Sequence, residues 1–184
     1  MVTIVLAPHQ LKYAEAISTL SSAPEIRDAL GLSAEQTSRE GTEGFITFIQ
    51  EQENEGKQYS RVILDDQENV IGVITLKELN PVKKTGHLGT WIGYPYWGKG
   101  FNEAAKRKIL YTAFTDLDLD IVFAGAKQKN GRSQRAQEKL PYIKCHVEKE
   151  YPEDHMNLEA QVGEACILNV IEKETFLKWY HNKE

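Results

Sequence analysis

The feature that most constrains the fold of this chain is a glycine-rich segment, Gly98-Lys99-Gly100, that joins an apolar run to a helical pattern. The apolar run covers residues 88–93, and the helical pattern covers residues 102–114. A strand that leads through two glycines into a helix allows several backbone N–H groups to point at one anion, and the helix start adds unpaired donors and the positive end of its dipole. We therefore predict that residues 98–102, here called the cradle, bind a pyrophosphate.

A competing interpretation of this segment is a nucleoside-triphosphate loop, because residues 93–99 fit the opening G-x-x-x-x-G-K of that motif. The motif requires Ser or Thr at the next position, where the hydroxyl group binds Mg²⁺. Gly100 stands at that position, and Pro95 together with three aromatic residues suits a tightly wrapped loop poorly. The triphosphate interpretation therefore ranks second.

Two segments carry a family resemblance. Residues 89–106 resemble motif A of the GNAT acyltransferase superfamily, whose pattern Q/R-x-x-G-x-G/A aligns with Trp97 to Asn102. Trp97 replaces the polar first residue of the pattern, and Asn102 replaces the small last one. Residues 130–140 resemble the N-x-x-S-x-x-x-x-E-K-L segment that follows motif A in the family, with Pro141-Tyr142 in place of the usual Gly-Phe. The branch that looks most similar contains the ribosomal-protein N-terminal alanine and serine acetyltransferases.

The resemblance implies a fold: an α/β (α+β), GNAT-like single domain over residues 1–184. Its twisted central sheet is mixed and mostly antiparallel, with helices on both faces and one parallel strand pair splayed at the acyl-CoA site. The splayed strands would be residues 87–92 and 120–126, whose unpaired backbone groups can bond the amides of the pantetheine arm like an added strand.

The resemblance also implies acetyl-CoA as co-substrate. The backbone N–H groups near Trp91 and Ile92 would face the thioester carbonyl. In the resembling branch, residues matching Asn130 and Ser133 reach the pantetheine arm and the thiol. The predicted cofactor-binding residues are Trp91, Ile92, Gly98, Lys99, Gly100, Phe101, Asn102, Asn130 and Ser133, and no metal is expected.

Acyl transfer also requires a base that removes a proton from the acceptor amine. His87 lies in the strand that leads into the site, and the imidazole of histidine titrates near physiological pH. Glu78, near the end of the preceding strand, is the rival base. Ser133 is the candidate that protonates the departing thiolate, although with Asn130 it also stands where a helix cap would lie. The predicted catalytic residues are thus His87, Ser133 and Glu78, each of which could instead be an ordinary surface or capping residue.

Composition and charge limit the partners of the chain. It has 184 residues and a net charge of −5, which argues against a general nucleic-acid binder. Between Lys99 and Lys144 there are ten Lys and Arg against five Asp and Glu, so this stretch carries +5 and the rest carries −10.

No run is apolar for long enough to span a membrane, and the N-terminus lacks a cationic leader. Cys145 and Cys166 fit no metal or redox spacing. We expect a cytoplasmic monomer or homodimer.

The order of predicted elements follows from periodicity and from turn residues. Strands are predicted at residues 2–6, 59–64, 70–79, 87–92, 120–126, 143–151 and 164–171. Helices are predicted at residues 8–20, 24–30, 37–55, 101–114, 133–140 and 175–181. The unit formed by residues 87–126 is a right-handed βαβ crossover.

Three functions remain open from the sequence. The first is an acetyl-CoA-dependent N-acetyltransferase that acts on a primary amine, either a protein N-terminus or a small molecule, by direct attack in a ternary complex. The second is a nucleoside-triphosphate-binding switch or hydrolase that uses residues 93–99. The third is a catalytically silent acyl-CoA-binding protein that keeps the cradle and lacks the base.

Overall fold

The computed structural model describes residues 2–184 and divides them into two compact units. The first unit contains the residues up to Leu79 together with Gly89–Ile109, and the second contains Asn80–Leu88 and Leu110–Glu184. The strands are β1 Val5–Ala7, β2 Tyr59–Leu64, β3 Val70–Asn80, β4 Thr85–Ile92, β5 Ile121–Lys127, β6 Ile143–Lys144 and β7 Cys166–Glu172. The helices are α1 Ala14–Ser21, α2 Pro24–Leu30, α3 Ala34–Thr37, α4 Arg39–Asn54, α5 Phe101–Phe114, α6 Gly131–Glu138, α7 Pro152–Val162 and α8 Lys173–His181.

The seven strands form one sheet in the order β1-β2-β3-β4-β5-β7-β6. The pairs β1–β2, β2–β3, β5–β7 and β6–β7 are antiparallel, whereas β4 and β5 are parallel. The predicted mixed, mostly antiparallel sheet with one parallel pair is therefore confirmed. That residues 1–184 act as one domain stays a prediction.

In the first unit, α1 and α4 cover one face of the β2–β3 hairpin. Their buried side chains join those of the two strands in an apolar cluster of Ala14, Ile17, Ile46, Val62, Leu64, Val70 and Val73. Trp91 of β4 packs against this cluster and is partly buried. The side chain of Trp91 is thus directed toward the core of the unit. That the backbone N–H groups near Trp91 and Ile92 serve the site stays a prediction.

In the second unit, β5 lies between β4 and β7. Its pairing with β4 is parallel and runs from Thr85 opposite Ile121 to Leu88 opposite Ala124, and its pairing with β7 is antiparallel over the whole of β7. Phe123, Val147, Leu168 and Val170 form one buried cluster. A second, aromatic group packs α8 against its neighbours through contacts among Phe114, Tyr142, Phe176, Trp179 and Tyr180. Tyr142, which stands where the family has Phe, is therefore a core residue.

The predicted helix at residues 8–20 begins later than expected. Residues 8–10 are not helical, Leu11–Tyr13 form a single 3-10 turn, and α1 starts at Ala14. Pro8 thus precedes the helix and does not open it. The predicted helix at residues 37–55 corresponds to α4, which Ser38 caps; of the predicted range only Thr37 belongs to the short helix α3, which has a Ser33–Gln36 capping box.

The predicted strand at residues 143–151 is wrong beyond Lys144. His146 has a left-handed φ of 56°, and its N–H donates to the Asn169 side chain at 2.9 Å, which takes it out of the ladder. The prediction also missed α7, although Pro152 at its first turn, two acids after it and Gly163 at its end are helix signals. Among residues 2–184, no helix is both long and apolar enough to cross a membrane.

Candidate functional site

The loop between β4 and the cradle is closed by bonds to the strands of the first unit. The Gly93 N–H donates to the Ile71 carbonyl at 2.8 Å, and residues Tyr94–Tyr96 form one 3-10 turn. The indole N–H of Trp97 donates to the Ile92 carbonyl at 2.7 Å. Trp97 stands where the family pattern has a polar residue. Its hydrogen bond to Ile92 therefore connects the end of the loop to the last residue of β4.

The cradle has the backbone shape that an anion site requires. Gly98 and Gly100 have φ angles of 74° and 86°, in the left-handed region that L side chains rarely adopt. A Cβ atom at Gly98 would meet nothing within 4 Å, and one at Gly100 would meet only Val2 Cγ2 at 3.9 Å. The glycines are therefore required by backbone angle, and the space beside them is open to a ligand. The Gly100 carbonyl already accepts from the Ala104 N–H, so α5 starts directly at the cradle.

One buried side-chain oxygen of the cradle and one of β4 have no hydrogen-bond partner among residues 2–184. Among the described residues, Asn102 Oδ1 on α5 and Thr90 Oγ1 on β4 are buried without a hydrogen bond. Such orphaned atoms are rare in folded proteins and mark places where a ligand or water completes the site. Asn102 was predicted to bind the cofactor, and a donor from a bound ligand would satisfy its oxygen. The open glycines and the orphaned oxygen together fit an acyl-CoA in this part of the chain.

Lys106, one turn beyond Asn102 on α5, is a charged residue that the sequence prediction missed. Only 6% of its surface is exposed, and burial lowers its pKa to about 8, while the nearby Glu103 acts in the opposite direction. Asn102 and Lys106 are four residues apart and so share one face of the helix. The first turns of α5 therefore bring a buried charge next to Asn102, within a helix whose other buried residues are apolar.

The remaining cradle side chains are aromatic or exposed. Lys99 is exposed, with its Nζ 5.9 Å from the centre of the Tyr96 ring, and Phe101 makes an edge contact with the same ring. These contacts hold both sides of the two glycines. Seven of the nine predicted cofactor-binding residues lie in the first unit: Trp91, Ile92, Gly98, Lys99, Gly100, Phe101 and Asn102.

The other two predicted cofactor-binding residues, Asn130 and Ser133, lie in the second unit at the start of α6. The Asn130 side chain accepts a hydrogen bond from the Ser133 N–H at 3.1 Å and caps the helix. Gln134 ties the same turn to the end of β5 by donating to the Lys127 and Gln128 carbonyls at 3.0 and 2.7 Å. The capping prediction for Asn130 is therefore confirmed, and the role of Ser133 toward a thiol stays a prediction.

His87, the first candidate base, also lies in the second unit. It is half-buried on β4 opposite Phe123 of β5, and the two ring centres are 5.0 Å apart. Phe123 in turn makes an edge contact with Tyr151, at 5.0 Å between ring centres. Burial, followed by nearby Glu150 and Glu172, raises the pKa of Tyr151. His87 and Tyr151 therefore both contact the Phe123 ring, and the sequence prediction did not include Tyr151.

Glu78, the rival base, lies on a bulge of β3 in the first unit. Leu76 pairs with Tyr59, yet the Leu79 N–H donates to the Lys57 carbonyl. Between these two pairs β3 has two residues and the opposite segment has one, which is the pattern of a β-bulge. Glu78 has a left-handed φ of 50° at this place and is exposed. The strand continues to Asn80, two residues beyond Glu78, so Glu78 does not end it.

Gln137 on α6 and Asn169 on β7 form a buried polar pair that the sequence prediction also missed. Ser133, Gln137 and Leu140 are spaced at i, i+4 and i+7, which places them on one helix face. That spacing was a usable signal, because a Gln between a candidate site residue and a buried Leu is directed inward.

Comparison with known proteins identifies a family. The family described as "Acetyltransferase (GNAT) domain" matches residues 3–142. The putative ribosomal N-acetyltransferase YdaF of Bacillus subtilis (strain 168) is 32% identical over 75 residues, which are 41% of this chain and 41% of that protein. The aligned part is thus less than half of that relative.

Two solved structures share the fold across nearly the whole chain. The spermidine N-acetyltransferase from Vibrio cholerae, crystallised with CoA and spermine, superposes with a TM-score of 0.74 at 18% identity, covering 95% of this chain and 98% of that one. The microcin C7 self-immunity acetyltransferase MccE, crystallised with acetyl-CoA and AMP, gives a TM-score of 0.69 at 18% identity, covering 91% and 90%. At these identities the likeness concerns the fold alone.

Proposed function

Because the chain belongs to the GNAT acetyltransferase family, we propose that it is an acetyl-CoA-dependent N-acetyltransferase that moves an acetyl group to a primary amine. The observation that carries this proposal is the cradle, in which two left-handed glycines stand between the closed loop at Ile92 and the start of α5. The N–H groups of this segment and of the first helical turn are the donors for the pyrophosphate of the co-substrate.

The proposed reaction uses the backbone for binding and side chains for proton transfer. The amine nitrogen attacks the thioester carbonyl carbon, the C–S bond breaks, and the thiolate leaves. N–H groups near Trp91 and Ile92 stabilise the negative charge that develops on the carbonyl oxygen. His87 or Glu78 accepts the proton lost by the amine, and Ser133 donates a proton to the thiolate.

The acceptor is a small molecule or a peptide with a primary amine. The solved structures with this fold hold ligands as different as spermine and AMP, so the fold leaves the acceptor open. The triphosphate alternative has lost support, because residues 94–96 form a 3-10 turn and the helix begins only at Phe101, two residues after Lys99. In that motif the Lys and the following hydroxyl residue lie at the helix start.

A thermal-shift screen with acetyl-CoA, CoA and Mg-ATP tests the binding half of the proposal. Acetyl-CoA and CoA are expected to raise the melting temperature, because a ligand that binds only the folded state stabilises it. Mg-ATP is expected to leave the melting temperature unchanged. A shift with Mg-ATP and none with either CoA compound would return the function to the triphosphate alternative.

A further inference from the structure

A buried hydrogen-bonded network connects α6 to two strands of the second unit. Gln137 on α6 is 6% exposed, and Asn169 on β7 is fully buried. The Gln137 Nε2 group donates to the Gly125 carbonyl of β5 at 3.0 Å, and the Asn169 Nδ2 group donates to Gln137 Oε1 at 2.7 Å. Asn169 Oδ1 accepts from the His146 N–H at 2.9 Å. Both ends of each amide are therefore engaged, which fixes the orientation of both side chains.

The carbonyl that Gln137 reaches lies on the edge of β5 that faces away from β7. Leu168, the register partner of Gly125, donates its N–H to Glu148 Oε1 at 3.1 Å, and its carbonyl accepts from the Val147 N–H at 2.8 Å. Leu168 thus directs its backbone groups away from β5. In an antiparallel pair, its partner Gly125 directs its own groups the other way. Gln137 therefore binds an acceptor on the β4 side of β5.

Gly125, whose carbonyl Gln137 bonds, lies at a defined position along β5. Gly125 directly follows Ala124, the residue paired with Leu88 of β4. On the α7 side of the strand, a Cβ atom at Gly125 would lie 2.4 Å from Leu158 Cδ2, so α7 packs closely against the glycine. β5 is consequently held at Gly125 by α7 and by the Gln137 amide.

Ser133 and Gln137 are one helical turn apart on the same face of α6. The placement of Gln137 against Gly125 therefore also sets the distance of the Ser133 hydroxyl from the same edge of β5. We propose that Gln137, itself fixed by Asn169, is a positioning residue for acyl transfer that holds Ser133 where the departing thiolate needs its proton. This inference rests on the proposed function.

A polar pair at this buried place requires a reason, because burying an amide is unfavourable unless every polar atom is bonded. An apolar residue would pack α6 equally well through non-directional contacts and would let the helix slide or rotate. Directional bonds to one carbonyl and one side chain permit a single placement. Precise placement of a proton donor is worth a large factor in rate, since a displacement of about 1 Å can cost on the order of 100-fold.

The test is a kinetic comparison of Gln137→Met with the wild-type protein, using acetyl-CoA and an amine that the wild type acetylates. Met keeps the approximate volume and removes both hydrogen bonds. We expect kcat to fall roughly 10- to 100-fold, with the KM for acetyl-CoA changed by less than about threefold, because the variant leaves both the cradle and the Asn130 cap of α6 unchanged. The swap Gln137→Asn with Asn169→Gln restores the pair and should recover much of the lost kcat.

Two further variants separate positioning from stability. Ser60→Ala removes two comparably buried hydrogen bonds in the first unit, to His9 Nε2 at 2.8 Å and to Thr75 Oγ1 at 2.7 Å, and should lower the melting temperature without changing kcat. If Gln137→Met does not fold, Gln137→Glu keeps the acceptor for Asn169, loses the donor to Gly125, and carries the same expectation.

The outcomes distinguish this inference from the function on which it rests. A folded Gln137→Met or Gln137→Glu protein with wild-type kcat would overturn the positioning role and leave the acetyltransferase proposal intact. A wild-type protein that acetylates no amine would overturn both. A fall in kcat without a matching rise in KM, together with recovery in the swap, would support the positioning role.

Discussion

At the scale of single residues, the backbone angle at Gly100 decides which side chains the cradle accepts. Its φ of 86° is unfavourable for any L residue, whereas the space beside it is empty apart from Val2. A side chain at Gly100 would lie where the predicted pyrophosphate binds. The structure adds that a side chain would also strain the loop before any cofactor arrives.

We predict that Gly100→Ala leaves the far-UV circular dichroism intact, lowers the free energy of unfolding by about 1–2 kcal/mol, and weakens acetyl-CoA binding. The reason is that relief of the strained φ turns the N–H groups of the cradle away from the anion. Thermal unfolding and isothermal titration calorimetry measure the two effects.

Gly44→Ala is the matched control for Gly100→Ala. Gly44 lies inside α4 with nothing within 4 Å of a Cβ atom. Ala there should raise the free energy of unfolding by about 0.5–1 kcal/mol without changing the affinity for acetyl-CoA. Wild-type affinity in a folded Gly100→Ala protein would remove the cradle from the site.

Lys106 gives a stability prediction whose sign follows from its lowered pKa. Below pH 8 the ammonium is present in both the folded and the unfolded state, and the folded state bears the full cost of burying it. Between the folded pKa of about 8 and the ordinary lysine pKa of 10.5, the folded state releases the proton while the unfolded state keeps it. The free energy of unfolding should therefore rise with pH across this window, by about 3 kcal/mol.

We predict that Lys106→Met removes this rise and is more stable than wild type at pH 7, since Met carries no buried charge. Urea unfolding at a series of pH values measures the difference between the two proteins, in which the titration of other groups cancels. Lys12→Met, at an exposed lysine, should keep the wild-type pH dependence. A parallel pH dependence in wild type and Lys106→Met would show that Lys106 is not buried as a charge.

At the scale of secondary-structure elements, β3 and β4 each present one candidate base. His87 is held on β4 by contact with Phe123, whereas Glu78 stands on a bulge of β3 with a left-handed φ. Bulges often redirect a side chain toward a functional site, which favours Glu78 as the base. The contact with Phe123 fixes the position of the His87 ring, which favours His87. Kinetics on the two variants decides between them.

We predict that His87→Ala lowers kcat roughly 100-fold and removes the rise of rate with pH in the range where imidazole loses its proton, because only the neutral ring accepts a proton from the amine. The affinity for acetyl-CoA should not change. Initial rates across a pH series, with Glu78→Ala measured in parallel, test this. Full turnover with an unaltered pH profile in His87→Ala would assign the proton transfer to Glu78 or to solvent.

The elements also show how far the sequence alone could go. The hairpin β2–β3, the helix α5 and strand β5 agree with the predicted bounds to within two residues, because alternation, helical spacing and glycine signals coincide there. The strand predicted beyond Lys144 failed because side chains of Asn169 and Glu148 bond the backbone at His146 and Leu168, which interrupts the ladder although the Val147 N–H still donates to the Leu168 carbonyl. No local pattern contains such long-range bonds. The same reason hid the Gln137–Asn169 pair, whose members are 32 residues apart.

At the scale of the whole molecule, charge is less concentrated than the sequence count indicates. Lys127 and Lys129 of the basic stretch both pair with Glu164, and Lys144 pairs with Glu150, acids that lie outside the stretch. The net +5 between Lys99 and Lys144 is therefore partly neutralised within the second unit. Attraction of an anionic co-substrate should depend more on residues such as Lys99 than on that total.

The predicted site residues are distributed over both units: the cradle, Trp91 and Glu78 in the first, and His87, Asn130 and Ser133 in the second. Motif spacing could assign these residues to one function, since both motifs occur in the order of the GNAT family that the chain matches over residues 3–142. It could not supply Lys106 or Tyr151, whose pKa shifts depend on what surrounds them in the folded chain, and for Gln137 it could indicate an inward direction but not the partner Asn169.

Measuring CoA thiol release from acetyl-CoA over a panel of amines, with mass spectrometry of each amine, tests whether the protein is an N-acetyltransferase. The panel should include a polyamine, an aminoglycoside, an amino acid and N-terminal peptides. We predict thiol release that depends on one class of amine and is matched, mole for mole, by the acetylated product. Tight binding of acetyl-CoA without amine-dependent release from any member of the panel would contradict it and leave a silent acyl-CoA-binding protein.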